Sequence, residues 1–261
     1  MLAKVACLAI ATVTTILTWL PPPSSKTVNA KKDKKVIEDE HVFVTTHANT
    51  FPFVMTTYST VIFAAYLSLM IINIDDATGA RVLKGERQTS FFKSNHPALT
   101  QLGELHNWHF VATVLCVLGY SLRKWSYVTL DQLYTYQLTI RPDHKLIQTG
   151  PYAYIRHPGY AGMILNVLSW SHIMWYEGLF SVAVQYASHL VSSLLRIKFS
   201  IPMTTVMGFD IGIIATCCYI YVWYLGAAYR ISHEEELLKE TFEKEWDQFA
   251  STRARLIPGV Y

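Results

Sequence analysis

The sequence predicts an all-α integral membrane protein with five or six transmembrane helices, an interfacial helix and a cytosolic C-terminal helix. Three observations carry that expectation. The 261 residues are 51% apolar and only 16% charged, with a mean hydropathy of +0.22, too oily and too sparsely charged for an ordinary soluble domain. Several stretches approach the roughly 20 apolar residues that a helix needs to cross the hydrocarbon core. The segment from Ser232 to Tyr261, by contrast, has the polar composition of a soluble helix and tail. The formal charge of +3 is spread among acidic residues, and no basic face of the kind that binds nucleic acid is present.

Taken in order, the first apolar stretch is 5–20, preceded by Lys4 and ended by Pro21, Pro22 and Pro23. Its length suits either a signal sequence or a first span, and a retained span is the preferred reading. Further spans are expected at 51–74, 107–122, 159–176 and 206–228. Between the last two, Ser181, Gln185, Ser188, His189, Ser192 and Arg196 recur at three- and four-residue steps. One polar face of that kind over 178–200 predicts a helix lying in the interface. Parity gives a second reason: if the polar segment 123–158 and the C-terminal tail share one site, an even number of crossings must separate them. Arg123, Lys124, Arg141, Lys145 and Arg156 place that segment in the cytosol under the positive-inside rule. In the tail, Glu234–Phe249 reads as a separate helix, with Ser232 as N-cap and Glu235 three residues later completing a capping box. The organisation expected is N-terminal membrane spans over 1–122, then a catalytic region over 123–261 with two or three further membrane helices and the tail.

Cys7, Cys116, Cys217 and Cys218 all lie in apolar stretches and read as small apolar residues, without the spacing of a disulfide framework or a zinc site. His106 and His109 form a His-x-x-His pair with no accompanying ligand cluster, so no metal is expected.

Two blocks carry chemistry. The first runs His-Lys-Leu-Ile-Gln-Thr-Gly-Pro-Tyr-Ala-Tyr-Ile-Arg-His-Pro-Gly-Tyr-Ala-Gly from His144 to Gly162. Gly150-Pro151 and Pro158-Gly159 each force a turn, and aromatic and cationic side chains are packed between them. Rigid turns of this kind hold polar groups where a small molecule can be bound. The second block is Arg230-Ile-Ser-His-Glu-Glu-Glu-Leu-Leu, followed by Phe242, Trp246 and an Arg255-Leu-Ile-Pro258 ending. Arg230 and Glu234 are four apart and so share one helix face. A guanidinium there suits a carboxylate, and the glutamate suits an amine. Singly, Tyr152, Tyr154 and Tyr160 would pass as interfacial aromatics, Arg156 and His157 as surface charges, and Glu234–Glu236 as a solvated helix start. Spacing, turns and charge agreeing in register favour the functional reading.

On these blocks, which cover about the C-terminal half from Gln137 to Pro258, the chain resembles the isoprenylcysteine carboxyl methyltransferase family, within a wider group that includes phospholipid N-methyltransferases. The resemblance implies an S-adenosylmethionine-dependent enzyme that forms a methyl ester on the C-terminal carboxylate of prenylated cysteine in CaaX-processed proteins. It implies cofactor contacts at Gln137, His144, Leu146, Ile147, Tyr152, His157, Pro158, Gly159, Tyr160 and Glu234, with Arg230 as the catalytic residue that binds the acceptor carboxylate. It further implies a multi-pass protein of the endoplasmic reticulum membrane, its site facing the cytosol, with prenylated proteins and membrane lipid as partners and no nucleic acid. No Gly-x-Gly-x-x-Gly follows a predicted strand, so the cofactor is not expected on a Rossmann sheet. The acceptor is already ionised at neutral pH, so Arg230 orients rather than deprotonates, and rate comes from positioning and removal of water. The lipid tail is expected near Trp170, Trp175, Tyr221 and Trp223. Two rivals are a phospholipid N-methyltransferase, whose amine acceptor has no use for a carboxylate-binding arginine, and a non-catalytic nurim-like scaffold, which needs none of the cofactor positions. The connector between Tyr160 and Arg230 is longer than expected from animal members.

Overall fold

The structure, a computed structural model, describes residues 2–20, 50–77, 102–133, 145–176, 205–206 and 209–259, together with 179, 182 and 194. Among these, five long helices dominate: α1 (Leu2–Trp19), α2 (Phe51–Ala77), α3 (Asn107–Leu130), α4 (Pro158–Trp175) and α5 (Ile211–Thr252). Short 3₁₀ turns occur at Asp131–Leu133 and Gly150–Ala153. One antiparallel pair, β1 (Thr205–Val206) and β2 (Phe209–Asp210), precedes α5. The helical class is therefore as predicted, and the spans expected at 5–20, 51–74, 107–122 and 159–176 fall on these helices, whereas the one expected at 206–228 becomes helical only at Ile211, after the β1–β2 pair. α1 and the Phe51–Ile71 part of α2 are long and apolar enough to cross a membrane. The predicted interfacial helix at 178–200 lies outside the described residues except at 179, 182 and 194, as do Gln137 and His144.

Two further helix boundaries differ from expectation. Residues 123–130, read as the start of a polar loop, continue α3 to Leu130. Nothing between Leu122 and Leu130 breaks a helix, and the stop comes at Asp131, whose φ of 47° is the left-handed conformation that aspartate tolerates. The tail helix likewise has no N-cap at Ser232, because α5 runs unbroken through it. No glycine or proline occurs between Ala227 and Glu243, so the apolar half runs on into the charged one as a single helix as far as Glu243, where the backbone is non-helical (φ 44°, ψ −111°) and a second helical segment follows across the kink.

The chain divides into two compact units, with boundaries that fall inside the helices. One contains Met1–Val13, Ser59–Leu115 and Leu168–Val222. Several of its buried polar groups find partners within it. The Lys4 ammonium donates to the Glu104 carbonyl at 2.6 Å and lies 5.8 Å from the Tyr66 ring centroid. Trp170 Nε1 donates to Thr12 Oγ1 at 3.1 Å, and Trp108 stacks on His109 with centroids 3.7 Å apart.

The other unit contains Thr14–Tyr58, Cys116–Val167 and Trp223–Tyr261. Within it α3 and α4 cross at Gly119 and Gly162. A Cβ at Gly162 would lie 2.5 Å from the Gly119 carbonyl oxygen and 2.7 Å from the Arg123 nitrogen; one at Gly119 would lie 2.6 Å from the Asn166 nitrogen. Small residues let the backbones touch. Asn166 Nδ2 secures the crossing by donating to the Cys116 carbonyl at 2.9 Å. Gly162→Ala is therefore expected to cost about 1–3 kcal/mol, the usual penalty for overpacking. Gly226, where an added Cβ would meet nothing within 4 Å, is the control site. Thermal unfolding in lipid nanodiscs should show a clear drop for Gly162→Ala and none for Gly226→Ala. Equal melting temperatures would mean the helices can part without loss.

Candidate active site

The first sequence block becomes a tight loop seated on the end of α3. Gly150 has φ +59°, which favours glycine, and a Cβ there would lie 2.8 Å from Thr129 Oγ1. Pro151 fills the first turn position and is buried. Its carbonyl accepts from Tyr154 N at 3.2 Å and Ile155 N at 3.3 Å. The chain then enters α4 with Pro158 at the first helical position, where its missing N–H costs nothing. The His157 carbonyl accepts the first intrahelical bond, from Ala161 N at 3.0 Å.

The C-terminal segment straps onto this loop. Arg156 N donates to the Ala254 carbonyl at 2.9 Å, His157 N donates to that of Arg255 at 3.1 Å, and Ile155 pairs with Ala254 as a parallel bridge. Trp246 and Phe249, both buried, anchor the helix that leads into the strap. The Arg253 guanidinium lies 4.5 Å from the Phe249 ring centroid and donates to Gln148 Oε1 at 3.3 Å.

Two polar constellations result. In the first, Arg230 Nε donates to the Tyr160 hydroxyl at 2.7 Å, and that hydroxyl donates to Glu234 Oε2 at 3.0 Å. One phenol thus joins the two members of the predicted helix-face pair and ties both to α4. In the second, Glu235 gathers three partners: the guanidinium nitrogens Arg156 Nη1 at 3.2 Å and Arg255 Nη2 at 3.0 Å, and the imidazole nitrogen His157 Nε2 at 2.9 Å. Arg255 Nη2 also donates to Ser232 Oγ at 3.0 Å. Burial by itself would raise the Glu235 pKa, but the hydrogen bond from His157 and the charges of His157, Arg156 and Arg255 outweigh it and hold the carboxyl below its ordinary value.

The structure accordingly brings Tyr160, Arg230 and Glu234 together, with Pro158 and Gly159 in the same first turn of α4 as Tyr160. The His157 imidazole is buried against Glu235. Tyr152 lies half-buried in the 3₁₀ turn, and Leu146 and Ile147 are half-buried in the approach to it. Gln137 and His144 lie outside the described residues. Of the aromatic residues expected near a lipid tail, Trp170 is 1% exposed and committed to Thr12, whereas Tyr221 is 61% exposed. Trp223 packs on Trp19 and Phe51 with centroids 5.2 and 5.8 Å away.

Sequence reasoning missed Glu235 and Arg255. Glu234, Glu235 and Glu236 are adjacent, and rotation of about 100° per residue aims them differently, but only the partners tell which one is clamped. Arg255 had a signal, its place in the Arg255-Leu-Ile-Pro258 ending, without an assigned role.

Comparison with known proteins bears on the same loop. Residues 111–199 match the model of the isoprenylcysteine carboxyl methyltransferase (ICMT) family. That match covers less than half of the chain, and over this segment the chain is similar to that family. Two rice proteins, from Oryza sativa subsp. indica and subsp. japonica, each described as "Probable protein-S-isoprenylcysteine O-methyltransferase", are 24% identical to it over 143 residues. The match covers 54% of this chain and 56% of each relative, so the chain spans about half the length of the curated relatives it matches. The ICMT segment contains the loop, α4 and most of α3, including Arg123, Arg156, His157 and Tyr160; Arg230, Glu234, Glu235 and Arg255 lie beyond its end at residue 199.

Proposed function

We propose that this chain is a membrane enzyme that transfers a methyl group from S-adenosylmethionine to the C-terminal carboxylate of a prenylated cysteine, forming a methyl ester. The observation that carries the reading is the Tyr160 hydroxyl, bonded at once to Arg230 and Glu234. A guanidinium and a carboxylate held side by side suit one anionic and one cationic ligand group on adjacent molecules. The ICMT match and the rice relatives supply the reaction class.

In this reading the donor supplies an electrophilic methyl on a sulfonium. Arg230 binds the acceptor carboxylate, and its bond to Tyr160 fixes the plane of the guanidinium. Glu234 accepts from the amine of the donor's methionine portion, beside the first turn of α4 with Pro158, Gly159 and Tyr160. Leu146, Ile147 and Tyr152 on the approach to the loop, with Gln137 and His144 before it and His157 after it, complete the cofactor set. No base is assigned, since the acceptor is ionised at neutral pH. The residues act by alignment and exclusion of water. The setting is a multi-pass protein of the endoplasmic reticulum membrane, with spans over 1–122, the catalytic region over 123–261, and the site on the cytosolic side.

The test is transfer of labelled methyl from S-adenosylmethionine to N-acetyl farnesylcysteine by the purified chain in lipid, with phosphatidylethanolamine as the competing acceptor. Base-labile label on the prenylcysteine is expected. Label on the amine alone would replace this reading with a phospholipid N-methyltransferase, and absence of cofactor binding would leave a non-catalytic scaffold.

A further inference from the structure

The cation read from sequence as a cytosolic loop charge is built into the support of the loop instead. Arg123 is 7% exposed. Its Nε donates to the Thr18 carbonyl, in the last turn of α1, at 2.8 Å, and its Nη1 donates to the Gly159 carbonyl, in the first turn of α4, at 3.1 Å. Its guanidinium carbon lies 4.8 Å from the Tyr127 ring centroid. The backbone of α4 packs directly against its own: a Cβ at Gly162 would meet Arg123 N at 2.7 Å and Arg123 Cβ at 3.1 Å. Ser126, one turn further along α3, lies 3.7 Å from where a side chain at Gly159 would begin.

We propose that Arg123 is a positioning residue for the Ile155–Tyr160 loop, holding the first turn of α4 against the C-terminal end of α1. This rests on the reading that the loop receives the cofactor. The last carbonyls of a helix lack intrahelical donors and carry the negative end of its dipole, so a cation is favoured at Thr18. A buried charge at the edge of an apolar helix is costly and is kept where it has a task. The planar guanidinium spans two carbonyls on different helices, which the point charge of lysine does not reproduce. The residue after Gly159 is Tyr160, whose hydroxyl sets both Arg230 and Glu234. A displaced first turn of α4 therefore disturbs the site without removing any ligand-contacting group. α1 lies outside the ICMT segment at 111–199, so this chain uses an N-terminal helix as the backstop for its family loop.

The experiment compares the full chain with Arg123→Lys and Arg123→Met in lipid nanodiscs. S-adenosylmethionine affinity, acceptor KM, melting temperature and amide hydrogen exchange are all measured. Arg123→Lys should raise the cofactor Kd by about tenfold, the scale of one lost charge-assisted hydrogen bond. Acceptor KM should rise in parallel, because the displaced Tyr160 also holds Arg230. Exchange should quicken at Ile155–Gly162 but not at Lys239–Trp246. Arg123→Met should go further in the same pattern. Unchanged Kd and exchange in Arg123→Lys would overturn the proposal, and so would faster exchange spread over every helix with a matching fall in melting temperature. If the unmodified chain binds no S-adenosylmethionine, the functional reading fails, while the exchange pattern at Ile155–Gly162 still decides whether Arg123 holds the loop.

Discussion

Arg230→Ala is expected to lower kcat/KM for a prenylcysteine acceptor by about 30- to 1,000-fold, the effect of truncating one partner of a hydrogen-bonded charge pair at about 2–4 kcal/mol. Cofactor affinity should stay within about threefold, because the group assigned to the donor, Glu234, remains. Tyr160 offers a finer contrast. Its hydroxyl accepts from Arg230 and donates to Glu234, so Tyr160→Phe cuts both ties while leaving both charges in place. That variant should lose activity less steeply than Arg230→Ala and should weaken acceptor and cofactor together. Single-turnover kinetics with saturating donor would separate these cases. Normal turnover in Arg230→Ala would remove the arginine from the acceptor site, and the carboxylate-acceptor reading would lose its main support.

Glu235→Gln should be nearly as damaging for a different reason. The carboxylate neutralises Arg156 and Arg255 and accepts from His157, all within 3.2 Å. Removing one member of a largely buried ion cluster leaves like charges facing each other and costs on the order of 3 kcal/mol. The strap from Arg253 to Pro258 would loosen from the loop, and methyl transfer should fall by about tenfold or more through lost alignment. The pH dependence gives an independent check. The folded Glu235 pKa lies below the ordinary 4.5, so its contribution to stability is fully present above that value. The contribution is lost as pH falls through the lower folded value. The gap in melting temperature between the unmodified chain and Glu235→Gln should therefore be constant from neutrality to about pH 5 and close below about pH 4.5. A gap that does not begin to narrow as pH falls below 4.5 would show that glutamine fails by shape, not by charge.

Most of the architecture was legible because apolar periodicity is a local property. The stretches 51–74, 107–122 and 159–176 are continuous in sequence and each lies on one helix, and the stretch 206–228 does so from Ile211 onward. The first half of the loop was legible for the same reason, since Gly150 permits a positive φ and Pro151 fixes its own, whereas Pro158-Gly159, read as a second turn, instead opens α4. Helix ends were read less well. Arg123 and Ser232 both looked like exits from a membrane, yet a helix stops where its backbone bonding stops, not where its composition changes. α3 ends at the left-handed Asp131, and α5 passes through Ser232.

From residues alone one could read the helical class, the two blocks, and the placing of Arg230 and Glu234 on one helix face, because each follows from spacing within a single segment. Only the tertiary structure decided which phenol joins that pair, which of three consecutive glutamates meets Arg156, His157 and Arg255, and where the Arg123 guanidinium goes. Each of those contacts spans between 36 and 105 residues of chain, apart from the short reach of Arg255 to Glu235. Partners so far apart are selected by how helices pack, and packing depends on side-chain volume and backbone approach at crossings such as Gly119 with Gly162, which no local pattern encodes.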